Sequence, residues 1–490
     1  MKKILRRSTL IYIVALAFIG GLGYLAFELV TGADDWVDQA YNAHIAGDGG
    51  LAQAGAIYDR NGTALAQTVD GKRVYNESES VRKSLLHVVG DRLLLPVQGR
   101  RHLLYAHYML DQPNRLLHVV GDDSLNISTA VQSMYRSQLI GYNLVFGLNM
   151  PESLRASHDI KLTVDSATCA AAYDVLAAYN KKGACVIYNY KTGEVICSIS
   201  TMAYDPQAPP EITEDNESEY EGVYLDNVLS STFTPGSIFK IVTSAAAIEN
   251  IPDLYDRTWV CNGSENIGGS EVTCTETHGT LTYKEAMAHS CNIVFAKLAI
   301  ELGSDTMTKT AEKIGINSSF DVDGIKTAKG SYDVSDANEN QLGWSGVGQY
   351  NDKVNPMQMA IICGAIANGG KATNPTLIKD ESILSALGIN YKSSGQELFS
   401  SDTAAKLDDV MRYTVSDYYG DNLFGGLTVC AKTGTGEVGD DKNPNGWMVG
   451  YSKDEDCPLA FACVVQDSGF GFQYAGPVVE AADAPRLFAA

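Results

Sequence analysis

The sequence predicts an α+β fold: an antiparallel sheet flanked by helices, preceded by an apolar N-terminal helix and a small, partly β region. Three observations carry this. ACVIYNY, KTGE and VICSIS (184–200) read as two apolar strands around a turn. Three further strand-like runs, GLTVCAKTGT (426–435), GWMVGYS (446–452) and LAFACVVQD (459–467), close the chain. Between these two groups lie helical stretches rather than further alternating strands, which suits a central antiparallel sheet with helices packed on it.

The 490 residues suggest about two to four domains. Apolar residues make up 45% and charged residues 20%, an ordinary globular composition. With 37 basic and 59 acidic residues the net charge is −22, which disfavours nucleic acid and anionic lipid as partners. The chain divides into 1–31, an N-terminal tail and apolar run; 32–157, a separate smaller region; and 158–490, a large region in which the texture of the sequence changes.

In the first part, Lys2, Lys3, Arg6 and Arg7 precede an uncharged run from Leu10 to Phe27. A run of this length can cross a bilayer as a helix. The flanking basic residues stay cytoplasmic, which places the remainder outside the membrane. The alternative is a cleaved signal peptide, whose apolar core is shorter, about 7–15 residues, and ends at a small-residue site; VTGADDW is a poor one. Both readings export the body of the protein.

In the second part, AIYDRNG (56–62) reads as a short strand entering an Asn-Gly turn. LLHVVGD occurs twice, at Leu85–Asp91 and Leu116–Asp122. Two copies are too few for a stacked repeat fold, so they indicate a local duplication. The basic stretch RLLLPVQGRRHLLYAHYMLDQPNR lies between them.

The third part opens with SATCAAAYDVLAAYN, an Ala-rich helix with Asp165 as its N-cap and Gly183 as its stop. STFTPGSIFKIVTSAAAIEN (231–250) passes from Pro-Gly into a helix of small apolar residues, expected to be buried all round. The ten cysteines show no CxxC and no zinc-type spacing, and most sit in apolar runs as small core residues, Cys185 and Cys363 among them. Cys261 and Cys274 instead flank a Gly-rich loop; outside the cell that spacing also suits a disulfide. No metal or cofactor is expected.

Three short motifs carry chemistry. In Ser237-Ile238-Phe239-Lys240, positions three apart share a helix face, so Lys240 lies against the Ser237 hydroxyl. A serine hydroxyl needs a base, and a lysine serves once burial disfavours its ammonium form. Roughly two S-x-x-K matches arise by chance at this length. Ser80-Val81-Arg82-Lys83 is one such match, in a charged stretch that leaves its lysine solvated. In Ser290-Cys291-Asn292 the plain reading is a helix N-terminus with polar caps. The chemical reading makes Ser290 a proton relay and gives Asn292 the substrate amide and Lys240 to hold. In Lys432-Thr433-Gly434-Thr435 a strand edge can pair an extended peptide, with Gly434 leaving room for its approach. Lys432 and Thr435 would bind a terminal carboxylate, and the N–H groups of Thr435 and Ser237 would form an oxyanion hole. Lys191-Thr192-Gly193 repeats the third pattern inside the hairpin turn and reads as a turn only. In that order the three motifs form the signature shared by class A β-lactamases and penicillin-binding proteins.

The chain resembles the class B penicillin-binding proteins, most closely the small single-pass kind. AGAIYDRNGTALA (54–66) is similar to the family's RGxIxDRNGxxLA segment, with Ala54 in place of the usual Arg. TFTPGSIFK (232–240), HGTLTYKEAMAHSCN (278–292) and VGQYNDKVNPMQMAIICGAIANGG (347–370) resemble the segments around the nucleophile, the S-x-N triplet and the G-x-G stretch with its following helix. KTGEVICSISTMAYDP (191–206) resembles the approach to the catalytic domain, and the unit between the two heptapeptides looks like an insertion. The resemblance implies a β-lactamase/transpeptidase-like domain and a D,D-transpeptidase. In it, Ser237 is acylated by D-Ala-D-Ala stem peptides of peptidoglycan, and by β-lactams, without a cofactor. It also implies a membrane-embedded glycan polymerase as partner and a role in division or shape. Competing expectations are a D,D-carboxypeptidase or β-lactamase on the same fold, which passes the acyl group to water, and a non-catalytic scaffold or β-lactam sensor.

Overall fold

The computed structural model describes residues 12, 15–25, 27, 54–90, 127, 129–141, 158–379, 395–439 and 442–482. Residues 15–25 are helical with exposed side chains. Among the described residues no helix is long and apolar enough to cross a membrane; the rest of the Leu10–Phe27 run lies outside them. The second heptapeptide and the basic stretch before it also lie outside.

The chain forms two compact units, Met1–Ile57 with Ala66–Val74 and Gly90–Ile160, and Tyr58–Leu65 with Tyr75–Val89 and Lys161–Ala490. In the first, the Arg73 guanidinium donates to Gln132 Oε1 at 2.9 Å and to the Gly55 carbonyl at 2.6 Å. The Gly55 and Ala56 N–H groups donate to the Leu139 carbonyl at 2.8 Å and to Asp159 Oδ1 at 2.7 Å.

The second unit is built on helix α1 (Ser166–Ala178) and the hairpin β1 (Gly183–Asn189) and β2 (Val195–Thr201). Asp165 caps α1 by accepting from the Thr168 N–H at 2.8 Å. The helix stops earlier than Gly183: Asn180 takes the left-handed turn at φ 50°, and Gly183 is the first residue of β1. Asn tolerates that conformation better than other side chains, so no glycine is needed. Lys191-Thr192-Gly193 is the hairpin turn, held by Asn189 Oδ1, which accepts from the N–H groups of Lys191 and Thr192 at 2.8 and 2.9 Å. At the DRNG segment, Asp59 Oδ1 accepts from the N–H groups of Asn61 and Thr63 at 2.9 and 2.8 Å, and Gly62 turns the chain at φ 85°. The first LLHVVGD copy includes a short buried helix, Leu86–Val89.

Further on come α2 (Lys240–Asn250), the short strands β3 (Thr258–Cys261), β4 (Ser264–Ile267), β5 (Ser270–Thr273) and β6 (Gly279–Thr282), and helices α3 (Tyr283–Ala288) and α4 (Asn292–Ile314). Then follow α5 (Pro356–Ala367) and α6 (Ser401–Tyr413), strands β7 (Val429–Gly436), β8 (Asn445–Ser452) and β9 (Leu459–Val465), and α7 (Gly471–Ala482). The main sheet has the order β7-β8-β9-β1-β2, every neighbour antiparallel.

Every residue of β8 and β9 is buried, so both sheet faces are covered. The register assigns the covers. Met448 pairs with Cys463 and Cys463 with Cys185, so the three share a face, and Gly476 of α7 lies on Met448. Tyr188 pairs with Ala460, three residues from Cys463, and therefore points to the other face. There Gly364 of α5 abuts the Tyr188 hydroxyl; a Cβ on Gly364 would meet it at 2.0 Å. Helix α5 is buried from Pro356 to Ile366 and apolar apart from Gln358, whose amide donates to the Gly315 and Ile316 carbonyls at 2.8 and 2.9 Å.

Candidate active site

Local sequence sets the first half of the site. Gly236–Phe239 is a 3₁₀ turn leading straight into α2, so Ser237 sits one tight turn before Lys240. Lys240 is fully buried and Ser237 half-buried. Lys240 Nζ donates to the Ser290 carbonyl at 2.6 Å and to Asn292 Oδ1 at 2.8 Å, and lies 3.0 Å from both Ser237 Oγ and Ser290 Oγ. The two pure acceptors, the carbonyl and the amide oxygen, take two N–H bonds. A neutral amine has just those two N–H groups, and its single lone pair is then left to accept from one hydroxyl at a time, that of Ser237 or that of Ser290. Burial favours that neutral form, lowering the Lys240 pKa to about 7; the nearby Cys274 and Cys291 act in the opposite sense.

Tertiary structure supplies the rest. Ser290 joins α3 to α4 at φ 56°, a left-handed conformation that a non-glycine residue holds only under constraint. The helix after it is not capped by a side chain: its N-cap is Cys291. Asn292 is pinned elsewhere, its side-chain amide donating to the Thr273 carbonyl at 2.9 Å and its N–H to Cys274 Sγ at 3.2 Å. The third motif lies on β7, at one end of the main sheet. Lys432 Nζ donates to Ser290 Oγ at 3.0 Å and to the Thr433 carbonyl at 2.9 Å. Ser290 Oγ therefore bridges two buried amines. Burial first, and then the charge of Lys240, hold Lys432 well below the usual lysine range.

The strand alternation separates the motif's residues. Lys432 and Gly434 are buried, while Thr433 and Thr435 are half-buried on the other face. Gly434 is tight against the nucleophile segment, since a Cβ there would meet the Pro235 carbonyl at 2.7 Å. The structure thus brings Ser237, Lys240, Ser290, Asn292 and Lys432 into one hydrogen-bonded group and sets Thr433, Gly434 and Thr435 along its edge. Ser80 and Lys83 take no part: Ser80 Oγ donates to Asp174 Oδ1 at 2.5 Å, and Lys83 pairs with Glu79 at 2.7 Å.

Several supports escape a reading by motif. Tyr419 accepts the Thr433 N–H at 3.0 Å and meets Thr433 Oγ1 at 2.8 Å. Gln349 Nε2 donates to the Thr435 carbonyl at 3.2 Å. Gly236, at φ 55°, donates its N–H to the Gly348 carbonyl at 2.9 Å, and a Cβ on Gly236 would meet the Thr435 carbonyl oxygen at 2.2 Å. The Pro-Gly before Ser237 and the glycine of VGQY were the available signals; nothing local marks Tyr419. Cys261 and Cys274 are thiols and form no disulfide with each other.

A half-buried serine hydroxyl against a buried lysine amine, with a second serine between that amine and another buried lysine at the edge of an antiparallel sheet, is an arrangement of the serine acyltransferase type found in β-lactamases and transpeptidases. Residues 183–482 match the family described as the penicillin binding protein transpeptidase domain, and the chain belongs to that family. It is 27% identical over 316 residues to peptidoglycan D,D-transpeptidase PbpA of Mycolicibacterium smegmatis, covering 59% of this chain and 62% of that protein. It is 30% identical over 328 residues to penicillin-binding protein 3 of Bacillus subtilis, covering 63% of this chain and 48% of that one. The matched segments thus span about half to three-fifths of those two relatives. The D,D-transpeptidase domain of a peptidoglycan glycosyltransferase from Eggerthella lenta shares the fold, with a TM-score of 0.69, 23% identity, 89% of this chain and 99% of that chain covered.

Proposed function

We propose that this chain is a peptidoglycan D,D-transpeptidase that works through an acyl-enzyme on Ser237. The observation that carries the reading is the Lys240 amine, 3.0 Å from Ser237 Oγ and 3.0 Å from Ser290 Oγ, with two acceptors holding its N–H groups. The family membership and the transpeptidase names of its relatives support it.

Neutral Lys240 takes the Ser237 proton as Oγ attacks the carbonyl before the terminal D-alanine of a stem peptide. The oxyanion lies toward the Ser237 and Thr435 N–H groups, and the terminal carboxylate toward Lys432 and Thr435. Ser290 relays the proton to the leaving amine, the C–N bond breaks and D-alanine departs. Asn292 holds both Lys240 and the substrate amide. An amine of a neighbouring stem then attacks the ester, its proton returns along the same path, and Ser237 is regenerated. A β-lactam acylates the same oxygen. Two acyl transfers replace one harder step.

In this reading Leu10–Phe27 anchors the chain in the cell membrane with residues 1–31 as tail and anchor. Residues 32–157 form a pedestal and 158–490 the enzyme, outside the membrane. A membrane-embedded glycan polymerase is its partner in division or shape. The test is incubation of the detergent-solubilised chain with labelled penicillin, then with a D-Ala-D-Ala stem peptide and an acceptor amine. One long-lived adduct on the Ser237 peptide, absent in Ser237→Ala, and a cross-linked product are expected. An adduct elsewhere, or an ester that only water consumes, refutes the reading.

A further inference from the structure

Behind the Ser290–Asn292 turn lies a group of side chains that the acyl-transfer chemistry does not use. Cys261 ends β3, Cys274 follows β5, His278 precedes β6, and Cys291 is the N-cap of α4. Their ligand atoms all lie within 4.8 Å of one another. His278 Nδ1 is 3.3 Å from Cys261 Sγ and 3.5 Å from Cys274 Sγ. A tetrahedral zinc ion, about 2.3 Å from sulfur and about 2.0 Å from nitrogen, requires sulfur–nitrogen edges of about 3.5 Å. We propose that Cys261, Cys274, His278 and Cys291 hold a structural zinc ion.

The surroundings fit that ion. Cys261 and Cys291 are buried, and the His278 side chain is 2% exposed. His278 Nε2 is buried with no hydrogen-bond partner, and Glu276 Oε1 stands 3.6 Å from it. With Nδ1 turned to the sulfurs the proton belongs on Nε2, on the Glu276 side, where a carboxylate that closes to hydrogen-bonding distance gives the outer support usual for a metal-bound histidine. Three thiolates and an imidazole suit zinc, whereas calcium and magnesium require oxygen ligands. Four protein ligands fill a tetrahedron, so the ion organises rather than reacts. The three thiols release their protons to solvent as it enters.

The ion would tie three separate strands of chain to the serine site. Cys291 stands between Ser290 and Asn292, and Cys274 Sγ accepts the Asn292 N–H at 3.2 Å. Filling the cluster clamps the Ser290 turn, at φ 56°, to the β3–β6 segment and holds Asn292 Oδ1 against Lys240. These residues act by positioning, and that role rests on the acyl-transfer reading; the presence of zinc does not.

Elemental analysis of the full chain, purified in detergent without chelator and equilibrated with zinc sulfate, tests the site. One zinc per chain is expected to survive gel filtration, and to be lost in Cys261→Ser/Cys274→Ser but kept in Cys457→Ser. Glu276→Gln is expected to weaken zinc binding about tenfold. Cobalt substitution of the wild type, which needs no variant to fold, is expected to give the thiolate charge-transfer band and strong visible bands of a tetrahedral ion. A chain free of zinc with all ten thiols alkylated, or with a disulfide in its intact mass, overturns the site. Removing zinc is expected to slow acylation by labelled penicillin by up to about 100-fold, with recovery when zinc returns. Unchanged acylation after full zinc loss overturns the positioning role, while stoichiometric zinc in a chain that penicillin never acylates overturns the acyl-transfer reading instead.

Discussion

Replacing Lys240 by methionine isolates the proposed base, because methionine keeps most of the side-chain volume and removes the amine. A positioned general base contributes about 10²–10⁴-fold, or about 3–5 kcal/mol of barrier. The stability change is smaller, because two effects oppose. Burial lowers the Lys240 pKa from 10.5 to about 7. A base whose folded pKa is depressed destabilises the fold increasingly as pH drops below its unfolded pKa, and fully once pH is below the folded one. Here that penalty reaches about 5 kcal/mol. Methionine removes it but leaves the Ser290 carbonyl and Asn292 Oδ1 without their donor, at about 1–3 kcal/mol each. Lys240→Met should therefore fold with near wild-type urea resistance and acylate at least about 100-fold more slowly. The assay is the second-order rate with fluorescent penicillin, followed across the neutral pH range. The wild-type rate should rise as pH passes about 7, where Lys240 loses its proton, and then level off. A folded Lys240→Met protein whose rate stays within a factor of about three of wild type, or keeps the same pH rise, would refute the assignment of Lys240 as base.

Gly236→Ala places a Cβ 2.2 Å from the Thr435 carbonyl oxygen at a φ of 55°. A loss of about 1–3 kcal/mol in urea unfolding and slower acylation are expected, and a variant neutral in both disproves the close contact. Tyr419→Phe removes the acceptor of the Thr433 N–H. Unfolding should weaken by about 1 kcal/mol and acylation should slow several-fold; equal rates would show that Tyr419 does not hold the strand edge. His87, in the first LLHVVGD copy, is buried with Nε2 donating to the Val223 carbonyl at 2.8 Å. Burial lowers its pKa from 6.5 to about 4, partly opposed by that bond. Its penalty is absent above pH 6.5 and grows as pH falls toward about 4, reaching about 3 kcal/mol. Urea midpoints should fall more steeply over that window in the wild type than in His87→Gln, and parallel curves would exclude the effect.

What the sequence determined by itself is whatever depends on neighbours within a turn or a hairpin. Three-residue spacing on one helical face set Lys240 against Ser237. Asp165 capped α1 because its carboxylate reaches an N–H three residues on, and two apolar runs around Lys191–Glu194 could only return as a hairpin. Even locally the stop of α1 is ambiguous in the sequence, because Asn180 and Gly183 both satisfy a helix terminus and only the start of β1 at Gly183 separates them. Tertiary structure decided the rest. Ser290 Oγ reaches Lys432 across 142 positions of chain, and Tyr419 reaches Thr433 from the end of the π-helical segment Thr414–Tyr419 that continues α6. Cys261, Cys274, His278 and Cys291 meet although no short spacing links them. Helix and strand periods are local and legible in sequence, whereas these meetings depend on how the sheet edge, the β3–β6 segment and α2 pack around one another, and side-chain packing at long sequence separation has no period to read.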